Sequence, residues 1–304
     1  MKRFAALAAA ILMLAAPLVQ AQEMREVTDA FGQKVHVPVK PLRVVTLSEF
    51  DLDSALTLGL TPIGAVNGRG QPTMPRYLLE KGSDIKVIGD LDSPNLESLI
   101  ALEPDLILTG QTRPELLTLL GEIAPTVVTG KWGEPWQDMF RRTAHTLNRD
   151  KEGEAFLQRY EERLAEARSK LADHQGESIS IVRWNPKGPS FMYQGTFASS
   201  VVESMGLVRP SKQQGTGAPH SPPLSLESLN LLDADWLVIG TLSATGDAVD
   251  AMRQAEQTPA FQQLPVIKAK RFGAVDGSLW TSSGGPQAAL QVIADVEQLL
   301  ATRS

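Results

Sequence analysis

One fourteen-residue pattern occurs twice in this chain. Asn95-Leu-Glu-Ser-Leu-Ile-Ala-Leu-Glu-Pro-Asp-Leu-Ile-Leu108 is matched 130 residues later by Ser225-Leu-Glu-Ser-Leu-Asn-Leu-Leu-Asp-Ala-Asp-Trp-Leu-Val238. Leu-Glu-Ser-Leu is identical in both, and Leu102/Leu232 and Asp105/Asp235 match beyond it. Each copy reads as a capping residue, a short helix, a tight turn carrying Asp and a buried strand. Asn95 or Ser225 is placed to accept a first-turn N–H, and Glu97 or Glu227 suits the positive end of the helix. A unit ending in a buried strand needs a sheet to join, so two copies predict two related halves. The length of 304 residues also exceeds what one compact core usually holds.

The remaining pattern agrees. Alternation around Phe31-Gly32 predicts a hairpin over 27–38. Strands are expected at 43–47, 63–66, 86–88, 106–108 and 126–129, with helical spacing over 52–60, 96–102 and 116–120. Strands alternating with helices on short loops define an α/β unit with a mostly parallel sheet. From Trp136 to His174 no strand signal appears. Phe156, Tyr160, Leu164, Ala167 and Leu171 instead recur at helical steps, with charged residues between them. Alternation resumes with strands at 179–182, 190–193, 236–239 and 273–275, helices over 200–205 and 286–300, and no further break. The expected organisation is an N-terminal α/β lobe over 22–145, a connecting helix over 146–174 and a C-terminal α/β lobe over 175–304. These would be two Rossmann-like lobes with a ligand cleft between them.

The first 21 residues read as an export signal. Lys2 and Arg3 precede an apolar run from Phe4 to Val19, which closes on Val19-Gln-Ala21, small residues where a signal peptidase cuts. The run is short for a membrane span, which needs about 20 apolar residues. Cleavage after Ala21 leaves 283 of the 304 residues and takes the formal charge from −6 to −8. The sequence has no Cys, so no lipid-attachment cysteine follows the run. A periplasmic, non-lipidated protein is expected. The missing Cys also excludes disulfide scaffolds, thiolate metal sites and cysteine nucleophiles. The acidic balance argues against nucleic-acid binding.

No catalytic constellation emerges. The four histidines, 36, 145, 174 and 220, have no metal-pair spacing. Gly68-Arg-Gly70 lacks the third glycine of a dinucleotide loop, and Ser243 lacks the spacing of a nucleophile elbow. Asp51 and Asp53 read as first-turn carboxylates of a helix rather than as an ion site. The chain therefore reads as a binding protein, not an enzyme, with no cofactor of its own.

Taken together, the signal, the two lobes, the connecting helix and the doubled Leu-Glu-Ser-Leu segments resemble the periplasmic binding proteins of ABC importers for ferric siderophores and vitamin B12. The similarity runs nearly end to end. It is carried in order by Val27-Thr-Asp-Ala-Phe-Gly-Gln, Arg43-Val-Val-Thr-Leu, Gly59-Leu-Thr-Pro-Ile-Gly-Ala, Pro94-Asn-Leu-Glu-Ser-Leu, Glu103-Pro-Asp-Leu-Ile-Leu and Thr258-Pro-Ala-Phe-Gln-Gln-Leu-Pro-Val-Ile-Lys-Ala-Lys-Arg-Phe. The resemblance implies capture of a ferric-siderophore complex by a monomer. It also implies delivery to inner-membrane ABC permease subunits, with Glu97 and Glu227 docking onto permease arginines. Ferrichrome-type relatives carry an Arg just before the Pro-Asn-Leu-Glu segment. Here that loop is Gly89-Asp-Leu-Asp-Ser93, which argues against a trihydroxamate held in that manner.

Ligands of open α/β sheets bind beyond the carboxyl ends of the strands. Applied to both lobes, that rule nominates Arg69, Arg113 and Trp132 from the first, and Arg183, Trp184, Tyr193 and Trp280 from the second. Arginine forks suit carboxylate or hydroxamate oxygens around a ferric centre, and aromatic rings offer large rigid contact area. Vitamin B12 or haem is the alternative cargo, with Tyr77 as a candidate haem ligand. From other classes, a ligand-sensing periplasmic subunit and a secreted α/β enzyme acting on an anionic small molecule remain as readings.

Overall fold

The computed structural model describes residues 22–301 apart from Thr216. The expected export signal lies outside the described residues. The hairpin is formed by β1 (Met24–Thr28) and β2 (Lys34–Pro38). Its turn closes on the Asp29 carboxylate, which accepts the N–H groups of Phe31 and Gln33 at 2.8 Å each.

The first lobe alternates strand and helix: β3 (Val44–Thr46), α1 (Glu49–Thr57), β4 (Gly64–Ala65) and β5 (Lys86–Val87). A small ribbon of β6 (Gly89–Asp90) and β7 (Ser93–Pro94) leads into α2 (Leu96–Ile100). Then come β8 (Leu106–Gly110), α3 (Pro114–Ile123) and β9 (Thr126–Gly130). The sheet runs β5-β4-β3-β8-β9 with every pair parallel. Its order reverses at β3, the position where open α/β sheets place a ligand crevice.

Two helices follow, α4 (Trp136–Thr146) and α5 (Asp150–Lys170). At 21 residues α5 spans ~31 Å. Phe156, Tyr160, Leu164 and Ala167 are buried along one face of α5, and Leu171 is buried just beyond its end. This stripe is the one that the spacing predicts.

The second lobe contains β10 (Ile179–Asn185), β11 (Gly188–Phe191), α6 (Phe197–Ser204), β12 (Trp236–Thr241), α7 (Asp247–Glu256), α8 (Pro259–Gln262), α9 (Pro265–Lys268), β13 (Phe272–Asp276), α10 (Gly277–Trp280) and α11 (Pro286–Ala301). Its sheet runs β11-β10-β12-β13. β10, β12 and β13 are parallel, whereas β11 turns back antiparallel beside β10.

The repeated segments occupy equivalent places, each just before a strand that pairs in parallel with the first strand of its lobe. The copies differ in detail. Asn95 Oδ1 caps α2 by accepting Ser98 N–H at 2.7 Å. Residues Leu226–Leu232 instead form a 3-10 helix, and Ser225 makes no cap bond to it. The Ser225 hydroxyl lies 3.3 Å from the Ser228 hydroxyl.

One apolar cluster spans the molecule. It passes from Val44, Leu106 and Val127 of the first sheet, through Phe156, Tyr160 and Leu164 of α5, to Ile179, Ile181, Trp236 and Val238 of the second. Trp136 meets Tyr160 edge-on at 4.9 Å, and Arg163 of α5 grips Glu297 of α11 through two bonds of 2.6 and 2.7 Å. The connecting helix is therefore built into the core rather than tethering two separate ones. Among the described residues no helix is long and apolar enough to cross a membrane.

Candidate functional site

The loop after β4 meets the carboxyl ends of β12 and β13 across the lobe boundary, and Arg69 in that loop faces Arg183 near the end of β10. On one flank the lobes touch. Arg76, in a 3-10 helix over Arg76–Lys81, donates to Asp276 at 2.5 and 3.3 Å and to the Thr241 carbonyl at 3.2 Å. Asp276 and Thr241 are the last residues of β13 and β12. Gly70 adopts φ +66°, and a Cβ there would sit 3.1 Å from Leu242. A side chain at position 70 would strain the turn and press the lobes apart.

Beside this contact stands a group of arginines. Arg69 follows β4 and is half-buried. Its backbone N–H donates to Glu49 Oε1 at 2.7 Å. Arg183, near the end of β10, is buried, and one guanidinium nitrogen makes only a long bond of 3.4 Å to the Thr281 carbonyl. Its Nε is buried without a partner. Burial pulls the Arg183 pKa down, and the charge of Arg69 from the opposite lobe pulls it down further. Glu49 is pushed up by burial, with the Ser282 hydroxyl, the Arg69 N–H and the Arg69 charge opposing the shift. Arg113 stands at the N-cap position of α3, makes no side-chain cap bond and is exposed. No salt bridge ties Arg69, Arg113 or Arg183 to a carboxylate among the described residues.

Trp132 stands on the loop after β9 with 59% of its surface exposed. That loop is braced at both ends. Gln111 Oε1 accepts the Trp132 N–H at 3.1 Å, and Arg142 holds Glu134 through bonds of 3.0 and 2.5 Å while donating to the Thr129 carbonyl. A large ring held out on a braced loop is a contact surface with little ordering cost left.

Three of the expected aromatic contacts lie elsewhere. Tyr193 follows β11, and because β11 runs antiparallel, its carboxyl end points away from the cleft. Tyr193 packs edge-on against Phe191 at 5.2 Å and lies against Gly215. Trp184 is 2% exposed and packs toward Phe261, since side chains alternate along β10 and Arg183 takes the other face. Trp280 is 1% exposed, with its indole N–H donating to Asp295 at 2.8 Å. The structure thus brings Arg69 and Arg183 together across the lobe boundary, leaves Arg113 and Trp132 exposed on first-lobe loops after β8 and β9, and keeps Trp184, Tyr193 and Trp280 in the packing of the second lobe.

Tyr77 offers nothing to haem. Its hydroxyl donates to Asp53 at 3.1 Å, and burial together with Asp53 pushes its pKa well up. Asp51 and Asp53 serve different partners: Asp51 accepts from the Ser48 and Thr129 hydroxyls, Asp53 from Thr57, Tyr77 and α11. No cluster of three or more acidic or histidine side chains able to hold a metal ion occurs among the described residues. The spacing of motifs did not disclose Arg76, Asp276 or Ser282. The run Ser282-Ser-Gly-Gly-Pro286 was their one visible trace, a break before a helix.

Glu97 and Glu227 are both exposed and have no ion-pair partner among the described residues. Each lies in the first turn of a helix that leads back to a strand start. One therefore stands on each lobe, at matching positions of the repeated segment.

Two α/β lobes with central parallel strands, joined by a helix built into their shared core, are the architecture of a two-lobed binding protein. The periplasmic binding protein family model matches residues 44–278, and the chain belongs to that family. The probable siderophore-binding lipoprotein YfiY of Bacillus subtilis is 28% identical over 92% of this chain and 88% of its own length. The achromobactin-binding periplasmic protein of Dickeya dadantii is 26% identical over 85% of this chain and 86% of its own. Staphylococcus aureus SirA, solved with staphyloferrin B, superposes with a TM-score of 0.79 at 25% identity. That match covers 91% of this chain and 98% of SirA.

Proposed function

We propose that this protein captures a ferric-siderophore complex outside the inner membrane and delivers it to an ABC permease. The reading is supported by Arg69 and Arg183, whose charges face each other across the lobe boundary with no salt bridge to either among the described residues, and Arg113 joins them by its place after β8. Guanidinium groups left without carboxylates call for an anion, and their forks match carboxylate oxygens on an iron chelate. The named ligands of the relatives above support iron chelates as the class. The ferric complex is cargo, and the protein brings no cofactor of its own and performs no reaction on it.

Glu97 and Glu227 are the docking carboxylates in this reading. One exposed acid per lobe presents two charges to a two-fold partner, which orients and speeds the encounter. Relatives include both a lipoprotein and a periplasmic protein. The absence of any cysteine from this sequence supports the freely diffusing periplasmic form, acting as a monomer.

The test is a fluorescence titration with ferric citrate, a ferric hydroxamate, a ferric catecholate, haem and cobalamin. The expected result is saturable quenching by an anionic ferric chelate with a Kd below about 10 μM, roughly −7 kcal/mol. Binding of none of them at that level would overturn the proposal.

A further inference from the structure

Seven consecutive residues of α1, Glu49–Ala55, are buried, and three of them are carboxylates. Two of the three, Asp53 and Glu49, reach into the other lobe. Asp53 Oδ1 accepts the Gln287 N–H at 2.9 Å, and Oδ2 accepts the Ala288 N–H at 3.1 Å. Thr57 and Tyr77 donate their hydroxyls to the same carboxylate at 3.1 Å each. The Gln287 side chain returns a long bond of 3.5 Å to the Asp53 carbonyl.

Gln287 and Ala288 lie in the first turn of α11. The opening N–H groups of a helix have no intrahelical acceptor and carry its positive dipole end. A residue just before the helix ordinarily supplies the cap. Here that residue is Gly285, which has no side chain, and the cap comes from the opposite lobe. Glycine at 285 is also a steric requirement. A Cβ there would lie 2.6 Å from the Asp53 Cβ and 2.8 Å from its Cγ.

One helical turn earlier on the same face of α1, Glu49 repeats the arrangement. It accepts the Ser282 hydroxyl of the second lobe and the Arg69 N–H of the first. The two carboxylates thus hold the chain from Ser282 to the first turn of α11 at two points, and Glu49 also holds the backbone N–H of Arg69.

We propose that Asp53 and Glu49 are positioning residues that latch the second lobe onto the first and set the gap between Arg69 and Arg183. The latch stands on the geometry of α1 and α11. Its effect on ligand affinity rests on the cleft proposed above.

The experiment is amide hydrogen exchange on the full-length protein, with the Asp53→Asn and Gly285→Ala variants, followed by a ferric citrate titration. Asn presents an NH₂ group to donors that a carboxylate accepts. Gly285→Ala pries the contact apart without touching charge. Exchange at Gln287 and Ala288 is expected to quicken about 10- to 100-fold in both variants, the range set by loss of a charge-assisted hydrogen bond. Amides of β8 are expected to keep their protection, and the affinity for ferric citrate to fall at least 10-fold. Unchanged exchange at both amides in both variants would overturn the latch. Faster exchange with unaltered affinity would overturn the positioning role. A wild-type protein indifferent to ferric citrate would bear on the proposed ligand class alone, and the exchange result would still decide the latch.

Discussion

Arg76 and Asp276, 200 residues apart in the chain, form a two-point ion pair that closes one flank of the cleft, Nη2 to Oδ1 at 2.5 Å and Nε to Oδ2 at 3.3 Å. Both side chains are about a quarter to a third exposed, so water screens part of the attraction. A double-mutant cycle over Arg76→Ala and Asp276→Ala, measured by urea unfolding, is expected to return a coupling of about 1 kcal/mol, decreasing in molar salt. A coupling indistinguishable from zero at low salt would show that the pair does not bind the lobes together.

The cleft arginines and the buried aromatics are expected to separate cleanly. Arg69→Ala or Arg183→Ala lowers affinity for an anionic ferric chelate by about 10- to 100-fold, the value of a charge-assisted hydrogen bond. Arg→Lys recovers part of the loss, because a point charge replaces a fork. Trp184→Phe and Tyr193→Phe leave affinity within about threefold, because neither ring reaches the cleft. Isothermal titration checks each variant. A large loss of affinity from Tyr193→Phe would contradict the direction of β11.

Glu97→Ala combined with Glu227→Ala is expected to leave chelate affinity unchanged and to abolish uptake by cells. Both side chains are exposed and neither stabilises a partner in the fold, so thermal stability stays within about 0.5 kcal/mol of the parent. Uptake of radiolabelled iron chelate by a strain carrying only the double variant checks this. Normal transport would remove the docking role.

Asp51 gives the fold a dependence on pH. Burial pushes its carboxyl up to about 6, against the opposing effect of the Ser48, Thr129 and Thr143 hydroxyls. The folded protein therefore holds this proton more tightly than the unfolded chain does. Between pH ~4 and ~6 the stability supplied by the protonated acid is lost as pH rises, and above ~6 the loss is complete. Asp51→Asn removes this dependence. Unfolding free energies measured from pH 4 to 7 are expected to show the parent losing about 2 kcal/mol more than the variant over that window. Parallel pH profiles would exclude the raised pKa.

What could be read from the sequence was local or repeated. The stripe from Phe156 to Leu171 announced α5 because burial on a helix leaves a 3.6-residue rhythm. The doubled Asp was legible for a deeper reason. Asp105 accepts the N–H groups of Leu42 and Arg43 at 2.8 and 3.0 Å, and Asp235 accepts that of Ser178 at 2.7 Å. Each carboxylate thus secures the chain at the entry of the neighbouring first strand, the same task in both lobes. The direction of β11 left no such trace. An apolar run reads alike in either direction, so the rule of carboxyl ends alone assigns Tyr193 to the cleft end of its sheet, whereas the antiparallel β11 carries it to the other. Trp184 and Trp280 had the residue type of a ligand contact, yet burial depends on which face of a strand or helix meets the core. The pairings Arg76–Asp276 and Asp53–Ala288 join residues at least 200 positions apart, and nothing local encodes them.

The unbroken core through α5 also gives the exposed glutamates a fixed baseline. In the proposed docking role, a partner that engages Glu97 and Glu227 together would meet two tips joined through one continuous core. A small rotation at the jaws, if cargo bound as proposed drove one, would then reach the two tips as a change in angle rather than being dissipated in a soft joint. The message that the protein is loaded would be written in degrees.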